Sequence, residues 1–561
     1  MENPCKIVCF GDSITKGYCS RFEKQIKKEY SDLQIEVINA GVVGETSVDG
    51  LRRLDQVIVL EPDVVVVGFG MNDWRKGVEK ETFRNNLGII VDELNRRGIR
   101  VILMTMNPDY NKESQVSKQL VEYNEVIRDV AHEKRVRIAD VYSLWIKELS
   151  NIKEGLYDEI HPNERVGNEI ICKTLMRVVP RSQTIIVWGF NGLDNAFCNY
   201  KCEYCYAPHE YRLGHHFQGD INEWHDAFKR TFGNQKLVFY LAFGEPMVAK
   251  KFYDVLDMIA SEPNWYGHMT SNLSPRLDRL VETKLFKEKR FNINASFHPT
   301  QTSVDKFLDK LLFLREHGLE CPVVFVMWPP FIDKFEEWFK IFDEHNFLVH
   351  VRRFRGWYNG KFYPKAYTEE ERQFIARYCD DATIKYMLND FNVNLRGWLS
   401  YQGMYYILVD YHGDVYTSPD SREKHLGNIF KGDVKLFTEP QPYGLDWNGS
   451  VNGMASLLEL NYRELEDNFV MSFARQGGVY HTENGVHYKN MNTDFNDPKI
   501  RRTYNFPLAG ECREGFLDRA KARILIEYRK RRENAYREVY PRVLRRRNSM
   551  LKAIKRFKSG K

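Results

Sequence analysis

Cysteine is scarce in this chain, ten in 561 residues, which is too few for a disulfide framework. No apolar run is long enough to cross a bilayer, which excludes a membrane-spanning helix. No basic, cleavable apolar segment precedes the first strand-like run, Lys6–Phe10. A reducing cytoplasm is the expected location. No internal repeat or low-complexity tract is visible, which excludes a repeat architecture. What remains is the composition of a globular protein, 43% hydrophobic and 28% charged, with enough chain for two or three domains.

The formal charge of +5 is unevenly distributed. Residues 521–561 hold sixteen Lys and Arg against three Glu, a net of +13 that leaves the other 520 residues at −8. Such a tail suits an anionic membrane surface, peripheral to its inner face, or a polyanionic glycan; nucleic acid is a less expected partner. Its plain reading is a solvated helical face.

Two successions of strand and helix patterns follow one another. Strand candidates Lys6–Phe10, Gln34–Ile38, Val64–Phe69, Val101–Thr105 and Val136–Ile138 alternate with amphipathic stretches such as Lys80–Arg97 and Ser114–Glu133. This alternation predicts an α/β unit with a parallel sheet over residues 1–180. After a polar break at Pro180–Gln183, six more strands are expected: Ile185–Phe190, Leu237–Phe243, His268–Ser271, Phe291–Phe297, Val323–Trp328 and Val349–Phe354. Six such units over 184–380 predict a partial (β/α)6 barrel of the TIM type, with its chemistry at the C-terminal strand ends. A hairpin region (381–440) and a C-terminal extension (441–561) of α+β character complete the chain.

Gly11-Asp12-Ser13-Ile14 directly follows the first strand, so the serine falls on a strand-to-helix turn with its Oγ exposed. It is not a G-x-S-x-G elbow. Asn39–Thr46, with Gly44, follows the second strand; Gly70-Met-Asn72-Asp73 follows the third; Asp158-Glu-Ile-His161-Pro162 comes near the end of the unit. Singly, each is an ordinary turn or loop. As an ordered set they resemble the SGNH/GDSL hydrolase family across the whole first domain. The resemblance implies a flavodoxin-like fold, Ser13 as nucleophile, His161 as its base and Asp158 as the group that orients the imidazole. It also implies an oxyanion hole from the Ser13 N–H, the Gly44 N–H and the Asn72 side chain. Gly44 suits that place because a Cβ would crowd the approaching carbonyl oxygen.

Cys198-Asn-Tyr-Lys-Cys202-Glu-Tyr-Cys205 follows the first strand of the second unit. Three thiolates at C-x3-C-x2-C spacing can serve an iron–sulfur cluster and leave one iron open. Zinc would want a fourth ligand at structural-site spacing, and His209, His215 and His216 follow irregularly. Three buried cysteines are the plainer alternative. Phe243-Gly244-Glu245-Pro246 ends the next strand. Together these resemble the radical S-adenosylmethionine (SAM) superfamily, with Phe243 in place of the first glycine of its G-G-E-P motif. The resemblance implies one [4Fe–4S] cluster on Cys198, Cys202 and Cys205, and SAM held by Tyr204, Gly244, Glu245, Pro246, Asn272, Ser296 and His298. It further implies an external electron donor of the flavodoxin or ferredoxin type. Arg352, Arg353 and Arg355 near the sixth strand end suit an anionic substrate group, or surface ion pairs.

The segment Tyr406–Ile429 is similar to the SPASM/twitch hairpins that follow many such barrels. No cysteine lies between Cys379 and Cys512, so no auxiliary cluster is expected. The resulting expectation is a bifunctional enzyme acting on a small molecule or glycan, such as an acylated sugar, a surface-glycan precursor or a specialised metabolite. The alternatives are a peptide-modifying maturase with an accessory esterase, and a non-catalytic SAM-binding scaffold or sensor.

Overall fold

A computed structural model describes residues 5–438 apart from 30–33, 111–116, 180–182, 193–196, 206–216, 379–398, 418–423 and a few single positions. It adds short strands at 441–442, 479–482 and 485–488. The basic tail, Arg355, His209, His215 and His216 lie outside the described residues.

The first unit runs β1 (Cys5–Gly11), α1 (Ser13–Glu29), β2 (Ile35–Gly41), α2 (Ser47–Arg52), α3 (Leu54–Ile58), β3 (Val64–Gly68), α4 (Met71–Arg75) and α5 (Lys80–Arg96). It continues with β4 (Arg100–Met104), α6 (Lys118–Lys134), β5 (Arg137–Ala139), α7 (Val141–Glu148) and α8 (Gly167–Val178). The sheet is parallel throughout in the order β2-β1-β3-β4-β5, the flavodoxin-like order expected. All five residues of β3 are buried, because helices cover both faces of a parallel sheet. Helix α5 buries Phe83, Leu87, Ile90, Val91 and Leu94 along one stripe, the 3.6-residue spacing its sequence carries. The chain steps outward from β1 to β2 and returns on the other side to β3. This reversal opens a crevice beyond the C-terminal ends of β1 and β3, where ligands bind in such sheets. The two strand ends approach so closely that a Cβ on Gly11 would stand 2.4 Å from the Gly68 carbonyl oxygen.

The second unit begins β6 (Gln183–Trp188), α9 (Ile221–Phe232), β7 (Lys236–Leu241), α10 (Phe252–Ser261), β8 (Trp265–Ser271), α11 (Asp278–Val281) and α12 (Lys284–Lys287). There follow β9 (Phe291–Phe297), α13 (Val304–Glu316), β10 (Val323–Met327), α14 (Ile332–Glu344) and β11 (Val349–Arg353). After a hairpin of β12 (Gly356–Tyr358) and β13 (Lys361–Tyr363) come α15 (Glu369–Ala376), β14 (Leu399–Ser400), β15 (Tyr406–Val409), β16 (Asp414–Tyr416) and β17 (His425–Asn428). One nine-stranded sheet results, β11-β10-β9-β8-β7-β6-β15-β16-β17, in which β6 to β11 are parallel and in chain order. The 406–429 hairpin extends this same sheet: β15 pairs parallel with β6, and β16 and β17 follow antiparallel.

Alternation along these strands divides the sheet into two faces. Trp188, Phe239, Trp265, Ile293 and Phe325 face the helices in an aromatic-rich core. Val187, Tyr240, His268 and Asn292 pair across neighbouring strands on the other face, followed by Thr270 and Asn294.

The two units meet along the edges where their strands begin. Arg137, opening β5, donates from Nη1 to the Met404 carbonyl at 3.2 Å, also bonds Thr184 Oγ1, and lies 4.2 Å from the ring centre of Tyr405. Gln235 Nε2 donates to the Arg135 carbonyl at 2.9 Å. Ile185, Val187, Val238, Met404 and Tyr405 join the hydrophobic core of the first unit. β5, β6, β7 and β15 all start at this seam, so their C-terminal ends lie away from it.

Candidate active site

Ser13 opens α1 one residue beyond the turn that leaves β1. Its Oγ is 3.0 Å from His161 Nε2, and His161 Nδ1 is 2.7 Å from Asp158 Oδ2. The second carboxylate oxygen of Asp158 accepts the main-chain N–H groups of Ile160 (2.9 Å) and His161 (2.8 Å). The three-residue spacing thus forms a closed loop in which one carboxylate fixes both the backbone and the ring of the histidine. Partial burial pushes the Asp158 carboxyl up, but the N–H groups of His161 and Ile160 and the imidazole outweigh it and hold the carboxyl below its ordinary range. An ionised Asp158 draws the proton to Nδ1 and leaves Nε2 as the acceptor facing Ser13.

The three expected oxyanion donors lie on the segments that follow β1, β2 and β3. The Ser13 N–H belongs to the unpaired first turn of α1. Gly44 has φ +78°, and a Cβ there would meet no protein atom within 4 Å. Its left-handed backbone favours glycine, and no protein atom crowds the position. Asn72, in α4, donates from Nδ2 to the Glu45 carbonyl at 2.9 Å and to Asp12 Oδ2 at 3.3 Å. Both amide hydrogens have partners here, so donation to a substrate oxyanion would replace the longer contact with Asp12. Burial pushes the Asp12 carboxyl up to about 6, against the N–H groups of Ile14 and Thr15.

Sequence reasoning missed the groups that hold these donors. Asp73 receives the Ser47 N–H at 3.0 Å and its hydroxyl at 2.6 Å, and Asn86 donates to the same hydroxyl at 2.9 Å. This buried set joins α4 to the start of α2. Asn107 donates to the Ile160 carbonyl at 2.9 Å and so holds the Asp158–His161 loop from behind. An Asp beside the G-x-N motif was the one available signal. The site is open: the Asp158 and His161 side chains are 46% and 39% exposed, and Val42, Val43 and Tyr157 stand exposed around them.

At the C-terminal end of the second sheet, the cysteine loop is tied to three successive strand ends. The Glu245 N–H donates to the Phe197 carbonyl at 2.9 Å. Asn272 Nδ2 donates to Asn199 Oδ1 at 3.1 Å, and the Lys201 N–H to Gln301 Oε1 at 3.2 Å. The Tyr204 hydroxyl is 2.9 Å from His298 Nδ1, with the two rings stacked at 5.8 Å. Burial, and after it the nearby Cys202 and Cys205, push the Tyr204 phenol up. The expected group of Cys198, Cys202, Cys205, Tyr204, Gly244, Glu245, Pro246, Asn272 and His298 is therefore gathered at one end of the sheet, with Ser296 buried on β9 beside them. Among the described residues, no three His, Cys, Asp or Glu side chains lie close enough to hold a single metal ion.

The Glu245 carboxylate is buried and accepts from Ser271 Oγ (2.9 Å), the Asn272 N–H (2.6 Å) and the Met247 N–H (3.2 Å). Burial pushes its pKa up to about 7 in spite of these donors. Phe243 and Gly244 have φ +72° and +65°. Phe243 is thus a non-glycine residue in the left-handed region that glycine adopts most readily.

Comparison with known proteins bears on the first unit. Residues 9–166 match the GDSL-like Lipase/Acylhydrolase family. An arylesterase of Vibrio mimicus is 30% identical over 116 residues, a stretch that covers 19% of this chain and 58% of that protein. An acetylxylan esterase of Geobacillus stearothermophilus is 25% identical over 207 residues, 31% of this chain and 93% of its own. The solved lipase/acylhydrolase of Enterococcus faecalis is 31% identical, covering 31% of this chain and 93% of its own, with a TM-score of 0.28. The N-terminal domain of this chain, residues 9–166, is a hydrolase domain of the GDSL type.

Proposed function

We propose that this chain is a two-site enzyme, a GDSL-type ester hydrolase joined to a radical SAM domain, acting on an acylated sugar, a surface-glycan precursor or a specialised metabolite. The observation that carries the hydrolytic half is the unbroken hydrogen-bonded relay from Ser13 through His161 to Asp158. His161 Nε2 takes the hydroxyl proton as Ser13 Oγ attacks the acyl carbon, and the negative charge on the former carbonyl oxygen falls to the Ser13 and Gly44 N–H groups and Asn72. His161 then returns the proton to the departing alcohol, and a water repeats the sequence on the acyl-enzyme. Asp158 stabilises the transient imidazolium. The exposed rim suits a short acyl group on a bulky alcohol, in keeping with the acetylxylan esterase named among its relatives.

The radical SAM half rests on the convergence of the cysteine loop with the ends of β7, β8 and β9. Three thiols on one short loop suit the soft irons of a cluster, which spreads its ligands more widely than a single ion does. The left-handed turn at Phe243–Gly244 turns the main chain sharply beside that loop. When bound, the cluster and SAM would supply reductive cleavage to methionine and a hydrogen-abstracting 5′-deoxyadenosyl radical. The chain's own part is to hold the thiols, to fix Tyr204 against His298, and to present the polar face of Tyr240, Thr270 and Asn294 to a substrate. The six parallel strands in chain order favour the partial barrel. The reductant is an external flavodoxin- or ferredoxin-type donor, and the basic tail docks on an anionic membrane surface.

Two assays test the halves separately. Wild-type protein should hydrolyse p-nitrophenyl acetate and Ser13→Ala should not; equal rates would remove the hydrolytic reading. Anaerobic reconstitution should give about four iron per chain and dithionite-dependent 5′-deoxyadenosine, both lost in Cys198→Ala. An iron-loaded protein that forms none would argue for a scaffold.

A further inference from the structure

We propose that Arg53 and Glu45, which no motif of the hydrolase marks, are positioning residues that set the oxyanion hole. The inference rests on the ester-hydrolase reading. Arg53 stands between α2 and α3, and its side chain turns back under the catalytic crevice. Its Nε donates to Glu45 Oε2 at 2.6 Å, and its Nη2 to the carbonyls of Ala40 (2.9 Å) and Gly11 (3.1 Å). The guanidinium lies 4.6 Å from the ring centre of Phe10, and the paired side chains are only 13% and 17% exposed.

These contacts reach every expected donor. Gly11 precedes Ser13 by two residues at the end of β1. Glu45 follows Gly44 directly, and its carbonyl accepts the Asn72 amide at 2.9 Å. Ala40 fixes the end of β2, from which the Gly44 loop departs. One planar fork therefore ties together the loops after β1 and β2 and, through Glu45, the side chain offered by α4. A lysine would be a point charge and could not hold a carboxylate and two carbonyls in one plane. Oxyanion donors act only at hydrogen-bond distance from the developing charge, and an error of about 1 Å in such a site costs roughly a hundredfold in rate. That is the reason to read this buried pair as more than a structural staple.

The test is a double-mutant cycle on hydrolysis of p-nitrophenyl acetate by the full chain, comparing wild type, Arg53→Met, Asn72→Ala and the double variant, with thermal melts alongside. Arg53→Met should lower kcat by about 10- to 100-fold and leave KM within about threefold. In the Asn72→Ala background the same substitution should cost less than in wild type, because Asn72 is one of the three donors that the fork positions and its share of the loss is already gone. Full multiplicative losses, or an unchanged kcat in folded Arg53→Met, would overturn the proposal. If Arg53→Met fails to fold, Arg53→Lys keeps the charge; it should restore the melt and leave kcat low, and a restored kcat would count against the planar-fork role. Wild-type protein without Ser13-dependent hydrolysis would remove the esterase reading itself, a result distinct from an additive cycle.

Discussion

Ser13 Oγ and His161 Nε2 lie 3.0 Å apart although 148 residues separate them in the chain. The parallel sheet brings them together. Ser13 leaves β1 at the crevice between β1 and β3, and the loop bearing His161 returns to the same C-terminal edge before α8. Asp158 completes the relay from within the loop, so its position depends on local geometry and not on further long-range packing.

The two oxygens of Asp158 separate a catalytic role from a structural one. Asp158→Asn keeps an acceptor for the Ile160 and His161 N–H groups but loses the charge that orients the imidazole. It should melt close to wild type and lose about 10²- to 10⁴-fold in kcat on p-nitrophenyl acetate. Asp158→Ala frees the loop as well, and should show both the loss in rate and a lower melting temperature.

At Gly44 the backbone conformation and the space around it make different demands. Gly44→Ala introduces no contact within 4 Å but places an alanine at φ +78°. The expected stability loss is about 1–2 kcal/mol, the cost of the left-handed conformation alone. Urea denaturation measures it. A loss of 4 kcal/mol or more would mean a clash that the open space does not allow.

Glu245 makes a prediction with a definite sign. Its folded pKa, about 7, lies above the ordinary 4.5, so the folded state holds a proton that the unfolded chain gives up. The contribution of this group to stability is complete below pH 4.5 and is lost as pH rises toward 7. Urea unfolding at pH 5 and pH 7.5 should show wild type losing a few kcal/mol relative to Glu245→Gln over that interval. Equal slopes for the two proteins would mean that the carboxyl is not buried as described.

The seam between the units is the most exacting contact outside the sites. Arg137→Ala removes the bonds to Met404 and Thr184 and the contact with Tyr405. A cost of about 1–3 kcal/mol is expected, seen in calorimetry as a lower transition that begins to divide into two. On the reading that the second unit is a radical SAM domain with its own site, Ser13→Ala should leave 5′-deoxyadenosine formation unchanged, and a loss of it would mean that the two sites are coupled.

Much of this arrangement was legible in the sequence. The β-branched runs Val64–Val67 and Val101–Leu103 read as strands because parallel strands are apolar on both faces. Ser13, Asp158 and His161, from widely separated segments, come within hydrogen-bond distance as their sequence contexts led one to expect. The second unit's parallel strands fell within a few residues of their expected bounds. Other features depend on relations that no local pattern carries. Arg53 and Glu45 look like ordinary surface charges until the loops after β1 and β2 converge on them. The parallel pairing of β15 with β6 joins segments more than 200 residues apart. Nothing in the local sequence around Phe243 signals its left-handed φ of +72°.

The central claim is that Ser13 is a nucleophile activated by His161. Treatment with a p-nitrophenyl phosphate triester, followed by intact-mass measurement and peptide mapping, tests it most directly. One phosphoryl adduct per chain on Ser13, formed far more slowly in His161→Ala and absent in Ser13→Ala, is the predicted result. Labelling elsewhere, or ester hydrolysis that persists in Ser13→Ala, would contradict it.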